Sequence, residues 1–477
     1  VSAPTTPDLT PRPRTLLLAV LAWHLVFWVL APWLVYRMLP LDALELLGWG
    51  QEWQWGYYKH PPLGPWLGEA FVWLCGGRIE SLYLLAQLAL VVTLIYVWRC
   101  ARLFLDPARA VLATVLLEGS YFHTYLIPNF NMNSLQLPLW AGFSYHLLRA
   151  MKGQRAHWYA CGALAALCLL AKYSGALLLL SGAALVLATG EGRRALRTPH
   201  PWLAVLLALA LLAPHLNWLA AHYELPLQYL RSFDPSGATP WWAHAVEPLR
   251  FALGAALSLL FSALLLLLLR ERGARREWPR ETLWLLVLCL GPLLLAMAYG
   301  AVSGSRLKAT WAFPFFNLAG VVALVLLPTR IDARRWQRFA IALGGTMLLT
   351  AGIHLAYKLG SDRSKTAFDG NALAQAIAKD WESEYATPLR VVVGDHVLSA
   401  IVSSYAPTRP AMLVRGDYTV SLWLTPEDVA RDGAAVVCRS AEPCYPDLAE
   451  RGATLRQLRV DDQDLRYFFL PPRPTPL

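Results

Sequence analysis

Charge is scarce in this chain. Only 16% of its 477 residues are Asp, Glu, Lys or Arg, where soluble domains carry about a quarter. With 56% hydrophobic residues and a mean hydropathy of +0.40, that shortage excludes the two or three soluble domains such a length would otherwise hold. Acidic residues are the scarcer sign, 32 against 42 basic ones, for a net charge of +10. No nucleic-acid-binding motif accompanies the surplus, so nucleic acid is excluded as a partner. Cysteine is also rare. Of seven, Cys75, Cys100, Cys161, Cys168 and Cys289 lie in or beside apolar runs, where a thiol serves as a small hydrophobe. Cys438 and Cys444 remain, and no second Cys or His pair accompanies them, which excludes a structural zinc site.

What the chain has in abundance is long apolar runs. A helix needs about 20 apolar residues to cross the hydrocarbon. Segments 15–36, 80–98, 108–127, 132–150, 201–219, 249–269, 282–301, 306–328 and 336–358 qualify, and 157–189 reads as two short crossings broken at Lys172-Tyr173-Ser174-Gly175. The first run is too long for a cleavable signal peptide and has no small-residue cleavage site. The expectation is an all-α polytopic membrane protein with about eleven membrane-spanning helices.

Basic residues orient it. Arg99/Arg102/Arg109, Arg149/Lys152/Arg155, Arg193/Arg194/Arg197, Arg270/Arg272/Arg275/Arg276 and Arg330/Arg334/Arg335/Arg338 fall in alternate loops, and the positive-inside rule puts them in the cytoplasm with Arg12 and Arg14. The surplus charge thus reflects topology and anionic headgroups. Residues 1–14 are then a cytoplasmic tail, 15–358 the membrane domain, 37–79 its first outer loop, and 359–477 an outer domain. That last part alternates Val-rich runs (390–393, 434–437) with polar turns and a helix-like 425–431, the pattern of a small α/β domain. In an oxidising outer compartment Cys438 and Cys444 are expected to pair.

The first outer loop is the least ordinary stretch. From Leu39 to Trp66 it runs LPLDALELLGWGQEWQWGYYKHPPLGPW. Its tryptophans suit helices lying in the membrane interface. One such helix is expected from Asp42 to about Trp55, and Pro61-Pro62 ends it and opens another. Asp42-Ala43-Leu44-Glu45 also fits a capping box.

The spacing from Asp42 through Trp49, Gln51 and Trp55-Gly56-Tyr57-Tyr58 to His60-Pro61-Pro62-Leu63 resembles the first-loop signature of bacterial membrane glycosyltransferases. These are relatives of the protein O-mannosyltransferases and the lipid A aminoarabinose transferases, with the C-type glycosyltransferase fold. Ala171-Lys172-Tyr173-Ser174, Pro214-His215-Leu216-Asn217-Trp218 with His222, Lys308-Ala309-Thr310-Trp311 with Pro314, and 391–410 with Asp395 and Tyr405 resemble further parts of that pattern.

The resemblance implies transfer of a sugar from a polyprenyl (undecaprenyl) phosphate to an envelope acceptor, lipid A or another glycolipid, usually with inversion. The protein would sit in the bacterial inner membrane, with its N-terminus cytoplasmic and its C-terminal domain periplasmic. No metal or cofactor is expected, since the lipid-linked sugar is a substrate; membrane lipids are the remaining partners. Such chemistry asks for a carboxylate to take the acceptor's proton, cations for the departing phosphate and an apolar groove. The resemblance puts Asp42 on the catalytic base. Lys59 reads as a phosphate-binding cation or a lysine snorkelling to headgroups. His60 reads as a donor to phosphate or acceptor, or as packing against Tyr57. Lys172, Arg306 and Lys308 are further candidate phosphate ligands, and Glu45, Tyr58, Asn133 and Trp311 candidate substrate contacts. Asn133 stands where relatives commonly carry a second Asp, and Ala43 where they often carry Glu. Asn131 or Asn133 also suits a helix N-cap, and Glu118 an interhelical pair. A transporter or flippase, and a lipid-binding relative without catalysis, are the alternatives. Transporters often show two related halves, and the first-loop pattern does not recur in the second half.

Overall fold

The computed structural model describes residues 13–232, 240–271, 278–361, 364–441, 444, 445, 448 and 454–473. Arg12, Arg272, Arg275 and Arg276 lie outside them. Five described helices are long and apolar enough to cross a membrane: Pro13–Val35, Ser81–Ala101, Pro199–His222, Thr282–Ser303 and Ala333–Gly360. Two bent pairs, Gly175–Ala188 with Gly190–Leu196 and Ala243–Leu257 with Leu260–Leu267, raise that to seven if each is one span. Ser81–Ala101 is the most enclosed of the five, whereas Pro199–His222 and Ala333–Gly360 leave most of their surface open to lipid. The chain is a multi-pass membrane protein.

Several expected crossings are not continuous helices. In 108–127, helix Pro107–Val115 gives way to a single 3-10 turn, Leu116–Gly119, and then to irregular chain. A side chain at Gly119 would come within 2.2 Å of the Ser262 backbone nitrogen, so the chain passes too close to its neighbour for anything larger. Irregular backbone at membrane depth is tolerated only when protein satisfies its polar groups. Here Tyr121 N donates to Ser258 O, His123 Nε2 meets Asn317 Oδ1 at 3.1 Å, and Asn317 Nδ2 donates to Leu137 O. Likewise 306–328 is helical only at Ala309–Ala312 and Ala319–Leu326. The break in 157–189 falls at residues 172–174, between His157–Ala171 and Gly175–Ala188. Glu118 pairs between elements, its Oε1 2.8 Å from His24 Nε2, both fully buried.

In the first outer loop, Leu41–Gly50 and Leu63–Leu74 are helices. The first is shorter than the sequence suggests, because Trp53 turns the chain at a φ of 46°. The capping box is not formed either. Pro40 occupies the N-cap, Asp42 lies inside the first turn, and Glu45 turns to another partner.

The tail builds a five-stranded sheet of order β2-β1-β3-β5-β4 from β1 (Val391–Gly394), β2 (Ala411–Val414), β3 (Ala434–Arg439), β4 (Arg456–Val460) and β5 (Gln463–Leu470). β1 pairs in parallel with β2 and β3, and β5 pairs antiparallel with β3 and β4. Helices Gly370–Tyr385, Leu398–Tyr405 and Pro426–Asp432 pack with it. The sulfurs of Cys438 and Cys444 are joined, 2.02 Å apart.

This sheet unit seats on the first-loop helix. Leu39 N donates to Tyr405 Oη and Gln51 Nε2 to Ser403 Oγ. Arg409 holds Glu69 through both oxygens, at 2.7 and 2.8 Å, the fork geometry that makes such pairs strong. Arg37 bridges Asp369 and Asp461. Leu44, Leu47, Ile401 and Val402 share one hydrophobic cluster. A Cβ on Gly48 would lie 2.3 Å from Met412 Cε, so a larger residue there would have to displace the end of the Met412 side chain.

Candidate active site

Four separate stretches meet above the membrane helices: the first-loop helix, the turn before Met132–Met151, and the breaks at 172–174 and 304–312. They enclose a cavity of about 180 Å³ lined by Asp42, Glu45, Trp49, His60, Asn131, Asn133, Lys172, Tyr229, Lys308, Thr310 and Trp311, among others.

Asp42 is exposed at the start of its helix. Its Oδ2 accepts from the side-chain amides of Asn129 and Asn131, each at 3.1 Å. Both amides address the same oxygen, which fixes the carboxylate plane and leaves Oδ1 for an incoming proton. Asn131 is also the N-cap of the following helix, where Oδ1 accepts from Asn133 N and Ser134 N and Ser134 completes a capping box. The cap thereby positions Asn131 Nδ2 against Asp42.

Lys172 caps the end of one apolar helix in extended conformation, and this turns its ammonium into the cavity. Nζ donates to Asn133 Oδ1 at 2.6 Å and lies 5.8 Å from the Trp311 ring centroid. Burial pulls its pKa down to about 8; Asp42 opposes that and Lys308 adds to it. A desolvated, only partly compensated cation is a strong receptor for an anion. Lys308 lines the same cavity from its exposed position.

Lys59 lies beside the cavity and not in its lining. Its Nζ is 2.5 Å from Glu45 Oε1, with the rings of Trp49, Tyr58 and Tyr229 5.3 to 5.9 Å away. Lys59 and Glu45 thus meet as an ion pair walled by aromatics, with Glu45 at the cavity wall and Lys59 behind it. Burial raises the Glu45 carboxyl, and Lys59 opposes that. Tyr58 packs edge-on against Trp49 and Tyr229 and does not line the cavity. Arg306 is exposed outside it. His60 lines it, but burial, then Lys172 and Lys59, hold its pKa well below the usual imidazole range. It is a neutral hydrogen-bonding group, not a cation. His215 Nδ1 donates to Trp55 O at 2.7 Å, tying the loop to a membrane helix.

The sequence reading overlooked Asn129 and Tyr229. Asn recurs at 129, 131 and 133 directly before a helix, a signal for Asn129. Tyr229 lies on Glu224–Arg231, a short helix with one polar face, and nothing local marks its destination.

No curated protein matches the chain in sequence. A family profile described as dolichyl-phosphate-mannose-protein mannosyltransferase matches residues 59–218, a span that includes Asn131, Asn133 and Lys172 but starts after Asp42. The crystal structure of ArnT from Cupriavidus metallidurans bound to undecaprenyl phosphate matches with a TM-score of 0.64 at 13% identity, over 95% of this chain and 97% of that one. The apo state of the same protein matches at 0.63 and 14%, with the same coverage. At such identity the likeness is one of fold. Together with the profile match it makes this a chain of the C-type membrane glycosyltransferase fold.

Proposed function

We propose that the protein transfers a sugar from a polyprenyl phosphate to a hydroxyl or amine of an envelope acceptor, a glycolipid by preference, with Asp42 as the general base. The observation that carries this reading is the cavity itself. It combines a carboxylate with one oxygen held by two amides and the other open, and two lysines beside an aromatic wall. That ArnT binds undecaprenyl phosphate supports the donor class.

In the proposed reaction the acceptor oxygen or nitrogen attacks the sugar C1 and forms the new bond, with inversion. The bond from C1 to the phosphate oxygen breaks, and its electron pair leaves on the polyprenyl phosphate. The acceptor's proton passes to Asp42 Oδ1. Lys172 and Lys308 stabilise the charge that develops on the departing phosphate, in a site where burial strengthens that interaction. Asn133 holds Lys172 in place; an amide can orient but not accept the proton, so Asp42 alone serves as base. Trp311 supplies a face for the sugar or the first prenyl units.

Purified protein given an undecaprenyl phosphate sugar and total envelope lipid should release free undecaprenyl phosphate in step with glycosylated lipid, read by mass spectrometry. Translocation of the intact donor without cleavage would make it a flippase, and binding alone a non-catalytic relative.

The site must face the periplasm, where the sugar is displayed. A reporter fused after Ser361 should be active only in that compartment and one after Gln154 only in the cytoplasm. The opposite pattern at either position overturns the orientation.

A further inference from the structure

At the end of the helix bundle opposite Asp42 lies a cavity of about 530 Å³, within the size range of small-ligand pockets, roughly 300–1,000 Å³. Helix Met132–Met151 separates the two ends. Asn131, its N-cap, holds Asp42, while Lys152 at its other end lines this cavity. Four elements close on it: the turn after Met132–Met151, the start of His157–Ala171, the short helix Gly190–Leu196 and the start of Thr282–Ser303. Gly190–Leu196 leaves Gly175–Ala188 at 94°, so it lies across the end of the bundle, where lipid headgroups meet the protein.

Charges of both signs line this cavity without meeting. Glu191 and Arg194 neutralise each other at 3.0 Å, and Arg280 acts on Glu191 as well. Lys152 and Arg155, both exposed, line the cavity from the turn that Gly153 makes at a φ of 90°. Among the described residues neither has a carboxylate partner; Lys152 Nζ instead lies 5.0 Å from the Phe104 ring centroid. Glu281 reaches the same cavity from a different element. It holds the N-cap position of Thr282–Ser303 but makes no side-chain cap bond, and among the described residues it has no ion pair. Trp158 and Trp284, 7% and 6% exposed, supply an apolar wall, the residue type that belongs at headgroup depth. Basic pockets between helix ends receive phospholipid phosphates. A headgroup with negative charge alone would also bring that charge up to Glu281, and like charges at close range select against such a ligand. A headgroup with both signs satisfies all three side chains.

We infer that this cavity binds a phospholipid whose headgroup joins a phosphate to a primary amine, with Lys152 and Arg155 on the phosphate, Glu281 on the ammonium, and Trp158 and Trp284 against the glycerol and first methylenes. The inference does not depend on the proposed transfer, because the site lies a whole membrane helix away from Asp42, 20 residues or about 30 Å. The bound lipid ties the turn after Met132–Met151 to the start of Thr282–Ser303, two elements whose charged side chains do not otherwise pair.

The test uses the full chain in phosphatidylcholine nanodiscs doped with a diazirine-tailed phosphatidylethanolamine or a diazirine-tailed phosphatidylglycerol, with crosslinks mapped by peptide mass spectrometry. The ethanolamine lipid should label residues 150–158 and 281–284 roughly tenfold more than the glycerol lipid, the effect of one charge-assisted contact. Glu281→Gln keeps the side-chain shape and removes both the partner of the ammonium and the repulsion of an anion, so it should bring the two lipids to nearly equal labelling. Lys152→Gln combined with Arg155→Gln should lower labelling by both. Soluble O-phosphoethanolamine at the concentration of the lipid should displace nothing. Equal labelling of the wild type by the two lipids, preference for the glycerol lipid, an ethanolamine preference that survives Glu281→Gln, or displacement by the soluble compound would each overturn the inference. The wild-type comparison needs no variant, so misfolding of a variant does not shelter it.

Discussion

Asp42→Asn should lower turnover by roughly 100-fold or more and leave the unfolding temperature almost unchanged. The argument is geometric. Asn129 and Asn131 donate to a single oxygen of Asp42, and an Asn at this position keeps one carbonyl oxygen to accept from both. What it loses is the second oxygen, the one available to a proton. The helix does not depend on Asp42 for a cap, because Pro40 holds that position and makes no side-chain cap bond. Only the favourable placement of negative charge in the first turn is lost, worth about 0.3–1 kcal/mol. Steady-state kinetics with a thermal melt on the same protein separate the two effects. An Asn variant that turns over near the wild-type rate would remove Asp42 from the mechanism.

Lys172→Met should raise the KM for the lipid-linked donor by about 10- to 100-fold, the value of one hydrogen bond to a charged group, with little loss of stability. Met preserves the stem that packs beside Trp311 and removes a cation that burial already disfavours. Because the wild-type ammonium titrates at about 8, its phosphate-binding form is fully present below that pH and disappears above it. Donor KM should therefore be flat below pH 7 and climb toward tenfold per unit above 8. Bound phosphate favours the protonated lysine, so donor binding near pH 8 takes up protons from the medium. The Met variant should lack this alkaline limb. A limb that persists in it would belong to another group.

The sequence made some of this legible for local reasons. Pro61-Pro62 had to end one helix and begin another, and Leu63–Leu74 starts there. The Val-rich runs became β1 and β3, and Thr425 caps the short helix that follows it. Lys172 in an apolar run could only mark a break. The failures share a cause, which is that composition cannot tell a helix in lipid from irregular chain sheltered by protein. Residues 108–127 pass for a single crossing, yet from Ser120 onward the chain is irregular, with backbone groups bonded to Ser258 and to each other and the His123 side chain held by Asn317. Pairings across the fold were equally hidden. Glu45 and Lys59 are 14 residues apart and meet only because the loop folds back over Trp49, and Asn129 reaches Asp42 from 87 residues away.

The close seating of Gly48 against Met412 bears on how such a protein can change by descent or by engineering. One face of the helix Leu41–Gly50 presents Asp42 to the substrate cavity, and the other forms part of the core under the C-terminal sheet. A tail borrowed from a relative would bring its own residue to the position of Met412 and its own partner for Glu69. The piece that can be exchanged is therefore the tail together with residues 37–74, two segments some 300 positions apart in the chain. Recombination at a single junction would separate them.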